Sequence, residues 1–385
     1  MERIYLDHNA TTPLDPRVFE AMLPVLREGF GNASSLHWFG QRARAAVDEA
    51  RSHVAALIGA APAEIVFTGS GTEADNMALR GLVAASPRGR RRLVYTAIEH
   101  HAVTNTAKGL AEEGVSVEGV RATADGRVDL DELRRVVDDE TGVVAVMLAN
   151  NETGVIQPLA EVVRIARKRG ARVHCDGVQA AGKVPVDVRS LDVDTLALSA
   201  HKLYGPQGVG ALYVKRGARL TALVRGGSQE RNRRAGTENA AGIAGFGRAA
   251  QIAQAELATE ATRVAALRDR LEARLLTTEG CRRNGMLERV PNTANLSFDG
   301  CEAESLLMAL DLAGVAVSTG AACAAGAIEP SHVLRGMGLP PGRVQSSLRF
   351  SLGRGTTEAE VDRAALLVEE AVARQRRLKT VSAAR

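Results

Sequence analysis

An acidic and a basic side chain each follow a short apolar run in the middle of the chain. Asp176 ends the run 172–176, and Lys202 comes just after the run 193–199. Both runs are typical of buried strands, and ligands of open parallel sheets gather where such strands end. A lysine there can hold an aldehyde as an imine, and an aspartate can pair with a protonated ring nitrogen. The pair therefore predicts pyridoxal 5′-phosphate and an enzyme that acts on amino acids.

A glycine-rich turn with a threonine follows another apolar run. Gly71 and Thr72 come after the run 65–68 and open a helical pattern. Backbone amides at the start of a helix can hold a phosphate group, and the Thr72 hydroxyl adds a donor. A plain strand-to-helix turn is the alternative interpretation.

Five more polar residues occupy comparable positions after predicted strands: His100, Asn151, Gln179, Ser199 and His201. The His100 ring can stack on a flat cofactor, whereas a lone histidine is more often structural. Asn151 can equally cap a turn, and Lys202 can equally be a solvated surface lysine. Together, however, these residues could hold a phosphate, stack on a ring, pair with a ring nitrogen and form an imine. The presence of all four functions in one predicted sheet is a specific combination.

Cys323 lies among small residues and glycines in the segment 318–326. This composition predicts a mobile loop that can carry a thiol to a partner. The alternative is a buried cysteine that packs as a small apolar residue. No neighbour in the sequence explains a lowered thiol pKa. Cys175, inside a predicted strand, is assigned to the core, and neither Cys281 nor Cys301 suggests a function.

The composition excludes several classes of protein. The chain has 385 residues, enough for two domains, with 45% hydrophobic and 24% charged residues. Its 49 basic and 45 acidic residues give a net charge of only +4, and aromatic residues make up 3%, which argues against direct nucleic-acid binding. The cysteines form no C-x-x-C pair, so no metal site is predicted. Without a signal sequence or a membrane-length apolar run, we expect a cytoplasmic protein.

The apolar runs alternate with helical patterns, which predicts a mostly parallel α/β sheet. The predicted strands cover 65–68, 93–96, 115–117, 143–148, 172–176, 193–199 and 208–214. A helix over 159–168 and a longer, connecting helix over 249–276 are also expected. A further strand over 347–351 precedes a C-terminal helix that begins near residue 356.

The residues quoted above belong to ordered motifs that extend over nearly the whole chain. They lie at 5–13, 30–32, 67–76, 99–100, 150–154, 174–179, 199–206, 234–237, 323, 329–332 and 349–354. In these motifs the chain resembles the NifS-like cysteine desulfurases of the class V aminotransferase family, which are fold-type I pyridoxal phosphate enzymes. The resemblance implies a mostly parallel seven-stranded sheet flanked by helices, plus a smaller α+β domain. It places the large domain at 15–255, and the small domain, with the catalytic cysteine loop, at 1–14 and 256–385.

The resemblance also implies a role for each candidate residue. Lys202, Cys323 and His100 would be catalytic, and Asn151 and Arg349 would bind the substrate carboxylate, for which a planar arginine fork is suited. The implied cofactor-binding residues are Gly71, Thr72, His100, Asn151, Asp176, Gln179, Ser199, His201, Lys202 and, from the other subunit of a homodimer, Thr237. The implied reaction converts L-cysteine to L-alanine and leaves a persulfide on Cys323.

The implied partners are an iron–sulfur scaffold or another sulfur-acceptor protein, with an iron–sulfur cluster held transiently by Cys323 as a further option. The long cysteine loop resembles that of the branch that hands sulfur directly to scaffolds. In that branch Ser or Thr usually follows the cysteine, whereas this chain has Ala324 and Ala325. A selenocysteine lyase, another class V aminotransferase and a non-enzymatic assembly subunit are the alternatives. The intact Lys202, Asp176 and His100 argue against the last.

Overall fold

The computed structural model describes residues 3–285, 288–320, 323–324, 327–328 and 330–383, and only the backbone of 323–324, 327–328 and 381–383. The strands are β1 (Ile4–Tyr5), β2 (Ile65–Thr68), β3 (Arg92–Thr96), β4 (Val117–Val120), β5 (Thr141–Met147), β6 (Arg172–Asp176), β7 (Thr195–Ser199), β8 (Gly210–Val214), β9 (Cys281–Arg283), β10 (Thr293–Phe298), β11 (Val315–Ala316), β12 (Cys323–Ala324), β13 (Ala327–Ile328) and β14 (Ser347–Ser351).

The helices are α1 (Pro16–Glu28), α2 (Trp38–Leu57), α3 (Gly71–Ala84), α4 (His101–Glu112), α5 (Leu130–Val136), α6 (Leu159–Lys168), α7 (Val188–Leu191), α8 (Gln229–Asn232), α9 (Ala240–Leu275), α10 (Ala303–Leu312), α11 (His332–Gly336), α12 (Pro341–Gln345) and α13 (Glu358–Ala383). Short 3₁₀ turns cover Pro62–Glu64 and Ala200–Lys202. The single turn α8 has positive φ angles at Glu230, Arg231 and Asn232.

A seven-stranded sheet in the order β2-β8-β7-β6-β5-β3-β4 forms the centre of the molecule. The strands from β7 to β4 run parallel, and β8 is antiparallel to both of its neighbours. Every residue of β5 is buried, as expected for a parallel strand that is covered by helices on both faces. The predicted fold class is confirmed.

The edge strand β4 begins later than the sequence predicted. The pattern favoured a strand over 115–117, but β4 covers Val117–Val120. Gly114 has a φ of +86°, and the Val115 amide donates to the Leu110 carbonyl at 2.9 Å. This left-handed ending of α4 uses Val115 to close the helix, so the strand starts two residues further on.

The long connecting helix α9 begins at Ala240 rather than near Ala249. The Asn239 side chain caps it by accepting from the Gly242 amide at 3.1 Å. Glycines lower helix propensity, which hid these first turns from the sequence pattern. A Cβ added at Gly247 would lie 2.4 Å from the Ala50 Cα atom, so the glycine lets α9 lie directly against α2.

Two large hydrophobic clusters share α9. Residues up to Ala253 pack into a cluster around the central sheet, whereas those from Val264 onward pack with β10, β14 and α13. Ile4 and Leu6 of the N-terminal segment belong to the second cluster. The predicted domain boundaries, 15–255 against 1–14 and 256–385, stay a prediction. No helix within the described ranges is long and apolar enough to cross a membrane.

Candidate active site

A cavity of about 480 Å³ lies where the central strands end. Strand ends, the N-terminal segment after β1 and the strand β14 all contribute to its wall. Ten of the predicted site residues line it: Gly71, Thr72, His100, Asn151, Asp176, Gln179, Ser199, His201, Lys202 and Arg349. The structure thus brings together residues that are far apart in the sequence.

Two predicted residues are not part of this wall. Thr237 is exposed and lines a neighbouring groove with Glu230 and Arg234. Cys323 lies in β12, which pairs antiparallel with β13, and its side chain is outside the described part of the chain. The roles of both residues therefore stay predictions.

Lys202 follows β7 in a short 3₁₀ turn, and its amine is held by two backbone carbonyls. The Nζ atom donates to the Asn9 carbonyl at 2.5 Å and to the Ala10 carbonyl at 2.6 Å. Burial and the nearby Arg349 lower the pKa of Lys202 to about 8, against the opposing effect of Asp7 and Asp176. A lysine in this state loses its proton readily and is a good nucleophile and base.

Asp176 is buried at the end of β6. Its Oδ1 atom accepts from the Val178 amide at 2.9 Å. Burial raises the pKa of Asp176 to about 6, while that amide and the Lys202 ammonium act in the opposite direction. A cation beside this carboxylate would favour its charged form, and a protonated ring nitrogen is such a cation.

Two further buried acids lie behind Asp176, and sequence reasoning missed both. Burial, followed by the charges of Asp176 and Glu99, raises the pKa of Asp75. Burial also raises the pKa of Glu99, to about 8. Asp75 pairs with Nε2 of His174 at 3.1 Å, and His174 Nδ1 meets Thr195. Asp75 lies in α3 and Glu99 in the turn between β3 and α4, and acids in such positions are usually exposed, so only the tertiary contacts reveal that these two are buried.

His100 caps the start of α4, with Nδ1 accepting from the Ala102 amide at 3.1 Å. This hydrogen bond leaves the proton of the neutral ring on Nε2. The ring is open to the cavity, yet the surrounding protein and then the charges of Lys202, His101 and His332 lower the pKa of His100 to about 4. A neutral, flat ring at this position is suited to stacking on an aromatic cofactor.

Gly71, Thr72 and Ser199 form a cradle beside Lys202. The first amides of α3 have no partner within their own helix and carry its positive end, which suits an anion. A Cβ at Gly71 would lie 2.9 Å from Val178 Cγ2 and 3.3 Å from Ser199 Cβ, so only glycine keeps this space open. His201 completes the group, with Nδ1 3.1 Å from Thr11 Oγ1.

Asn9 is hydrogen-bonded to several of these groups, although its place in a motif was the only feature that drew attention to it. Its carbonyl accepts from Gln179 Nε2 at 3.0 Å as well as from Lys202. Its side-chain oxygen accepts from Lys183 Nζ at 3.0 Å, and that amine also donates to Gln179 Oε1 at 2.6 Å. Burial, with Lys202 and Arg349, lowers the pKa of Lys183 well below its usual value. Lys183 follows Gln179 by four residues, the only sequence signal for this contact.

Arg349 reaches the cavity from β14. Its Nη1 donates to the Asn151 carbonyl at 2.9 Å and its Nη2 to Asp7 Oδ1 at 2.6 Å. Among the described residues, Arg349 Nε and Asn151 Oδ1 are buried without a hydrogen-bond partner. Because such groups cost free energy when unpaired, this wall is built to receive the polar atoms of a ligand.

These residues fit pyridoxal 5′-phosphate. The glycine cradle suits its phosphate, the group of buried acids suits a protonated ring nitrogen, and the lysine with a lowered pKa suits its aldehyde. The described residues hold no cluster of three or more His, Cys, Asp or Glu side chains placed to bind a metal ion.

The chain belongs to the class V aminotransferase family, whose model matches residues 4–364. It is 46% identical to a cysteine desulfurase of Trichormus azollae over 98% of this chain and 95% of that protein. It is 48% identical to the cysteine desulfurase IscS of Anaeromyxobacter sp. (strain Fw109-5), over 97% and 94% of the two chains. The family and the pyridoxal phosphate cofactor predicted from the sequence are confirmed.

Solved structures of similar proteins share the whole fold. A NifS-like protein superimposes with a TM-score of 0.91 at 38% identity, over 96% of this chain and 99% of that one. The structure of SspA in complex with cysteine matches with a TM-score of 0.80 at 31% identity, over 91% and 98% of the two chains.

Proposed function

We propose that the protein is a pyridoxal phosphate-dependent cysteine desulfurase, which takes sulfur from L-cysteine, releases L-alanine and leaves a persulfide on Cys323. One observation carries the proposal: the Lys202 amine, with its lowered pKa, shares a cavity with Asp176 and faces unpaired polar atoms of Asn151 and Arg349. The similar cysteine desulfurases, which match over nearly the full chain, support the same activity.

The sheet side of the cavity would hold the cofactor. Lys202 would bind it covalently, and Asp176 would pair with its ring nitrogen. His100 would stack on the ring and Gln179 would meet the ring hydroxyl. The phosphate would be held by Gly71, Thr72, Ser199, His201 and, from a partner subunit, Thr237. When bound, the cofactor supplies an electron sink for the bonds broken in the amino acid.

Arg349 and Asn151 would bind the substrate carboxylate. Nε of Arg349 is free to donate to a carboxylate oxygen, and Nη1 of the same guanidinium donates to the main-chain carbonyl of Asn151. Asp7 already accepts from Nη2 of Arg349, which fixes the orientation of the planar group. The substrate carboxylate therefore meets an arginine whose direction is set in advance.

The chain's own residues move the protons. Lys202, as a neutral amine, takes the proton from the substrate Cα. His100, neutral at working pH with its proton on Nε2, can exchange a proton with the substrate sulfur. The Cys323 thiolate attacks that sulfur, so that an S–S bond forms and the C–S bond breaks. The electron pair of the C–S bond stays with carbon, which takes a proton to give alanine.

A homodimer would complete the site. Phe30 and Leu36, between α1 and α2, are 77% and 91% exposed, and Trp38, the first residue of α2, is 59% exposed. An apolar patch of this kind is typical of a protein–protein interface. Thr237, outside the cavity of its own chain, would serve the partner's cavity across that interface.

The persulfide would pass to a sulfur acceptor in the cytoplasm. The acceptor would be an iron–sulfur scaffold or a protein of a thiolation pathway. We propose in addition that Cys323 can hold an iron–sulfur cluster transiently during this transfer.

The test is a single turnover of the purified holoenzyme with L-cysteine, followed by amino-acid analysis and peptide mass mapping. We expect alanine, and one added sulfur atom on the peptide that contains Cys323. The same assay with L-selenocysteine distinguishes a selenocysteine lyase, which would release alanine from that substrate without using Cys323. Sulfur that accumulates on the variant Cys323→Ala would contradict the proposal.

A further inference from the structure

Glu152 contacts described residues on both flanks of the segment that carries Cys323. Its Oε2 atom accepts from the Ser331 hydroxyl at 2.5 Å. On the other flank, a Cβ added at Gly320 would lie 2.7 Å from the same oxygen, and Gly320 has a φ of +81°. Residues 321–330 lie between these two contacts, so one carboxyl group meets the chain before and after the cysteine.

Glu152 is itself held firmly by the protein around it. It is 1% exposed. Its amide donates to Asn150 Oδ1 at 2.9 Å, and its carbonyl accepts from Asn295 Nδ2 of β10 at 3.2 Å. The side chain therefore extends from a fixed backbone.

The two flanks are also fixed to elements of the active site. Gly320 donates to the Ser318 hydroxyl at 3.0 Å, and Ser318 exchanges two backbone hydrogen bonds with Arg349. Ser331 is the N-cap of α11 and accepts from the Leu334 amide at 3.0 Å. Each flank thus has its own anchor, and Glu152 is in contact with both.

We propose that Glu152 is a positioning residue for sulfur transfer, holding both flanks of the Cys323 segment at the wall of the substrate site. The inference rests on the proposed function, because it assigns Glu152 to the step in which Cys323 takes the sulfur. Holding both ends of a segment restricts the positions that its thiol can reach. This restriction raises the frequency with which the thiol approaches the substrate sulfur in a productive orientation. The raised pKa of Glu152, about 7, follows from burial and is opposed by Ser331 and Arg349. The contact to Ser331 needs only an acceptor oxygen.

The experiment compares Glu152→Ala with Glu152→Gln in the holoenzyme. Glutamine has the same size and keeps an oxygen that accepts from Ser331, whereas alanine loses both contacts. For Glu152→Ala we expect persulfide formation on Cys323 in a single turnover to slow by about 10- to 100-fold. The change in the visible spectrum on binding L-cysteine should keep the wild-type concentration dependence. Glu152→Gln should restore most of the rate, and Glu118→Ala, at an exposed residue of β4, is the matched control.

A second pair of variants changes Ser331, the partner of Glu152 in the same hydrogen bond. This pair also covers the case in which Glu152→Ala does not fold. Ser331→Ala should slow persulfide formation, and Ser331→Thr, which keeps the hydroxyl, should restore it. Wild-type rates in Glu152→Ala or Ser331→Ala would overturn the inference. So would a Glu152→Gln variant as slow as Glu152→Ala, or a loss of L-cysteine binding in either alanine variant. Wild-type protein that forms no persulfide would instead contradict the proposed function.

Discussion

The two sides of the cavity differ in how they are assembled. The sheet side (Asp176, Ser199, Lys202) comes from adjacent parallel strands, and both Asp176 and Lys202 have partners within the protein. The arginine side (Asn151, Glu152, Arg349) joins residues about half the chain apart and leaves two buried polar atoms unpaired. Since an unpaired buried group costs about 1–3 kcal/mol, the arginine side is stabilised by a ligand that offers an acceptor to Arg349 Nε and a donor to Asn151 Oδ1. We infer that the sheet side sets the cofactor chemistry and the arginine side selects the substrate.

The largest effect is expected on the sheet side, from Lys202→Ala. The variant removes the amine that we propose takes the Cα proton, so alanine release from L-cysteine should fall by at least about 10³-fold. The visible absorption of the bound cofactor should change as well, because its covalent attachment is lost. The matched control is Lys168→Ala, which removes an exposed lysine at the end of α6. Near-normal alanine release by Lys202→Ala would contradict the proposal that the sheet side sets the cofactor chemistry.

A smaller effect of a different kind is expected on the arginine side. Lysine cannot reproduce the planar fork of an arginine, so Arg349→Lys should raise KM for L-cysteine by about 10- to 100-fold. The cofactor spectrum of the variant without substrate should stay that of the wild type. Arg335→Lys, at an exposed residue of α11, controls for the substitution. If KM is unchanged and the cofactor spectrum shifts instead, Arg349 serves the cofactor and the comparison is wrong.

The smallest expected effect is on the pH dependence of stability, and it comes from Glu99, one of the buried acids behind the sheet side. Burial raises the pKa of Glu99 to about 8, although Thr96 and the Met147 amide stabilise its charge. The folded protein thus keeps a proton that the unfolded chain releases at lower pH. Stability from this group is present at low pH and is lost as pH rises from about 4.5 towards 8.

Glu99→Gln removes that titration while keeping an oxygen for the same donors. The free energy of unfolding of the cofactor-free wild type should fall more than that of the variant between about pH 5 and pH 8, by on the order of 1 kcal/mol. Denaturant titrations at both pH values measure the difference. Parallel pH profiles for the two proteins would show that Glu99 is already charged in the folded state.

The sheet side could be predicted from the sequence because it depends on local rules. The end of an apolar strand places Asp176 and Lys202 at one edge of the sheet, and a glycine at a helix start marks the phosphate cradle. The arginine side depends on contacts that no local pattern contains: Asp7 with Arg349, Asn151 with Arg349, and Ser331 with Glu152. Only the family resemblance pointed to Arg349. Among the elements, the start of α9 was hidden by glycines, one of which, Gly247, lets the helix lie against α2.

The most direct test of the central claim distinguishes the role of the cavity from that of Cys323, the proposed acceptor of the sulfur. Cys323→Ser holoenzyme is mixed with L-cysteine, and the visible spectrum, alanine release and protein mass are followed together. We predict that the spectral response to L-cysteine persists, because both sides of the cavity are intact, while alanine release and the added sulfur atom disappear. Alanine release at the wild-type rate, or a sulfur atom gained elsewhere on the protein, would contradict the account.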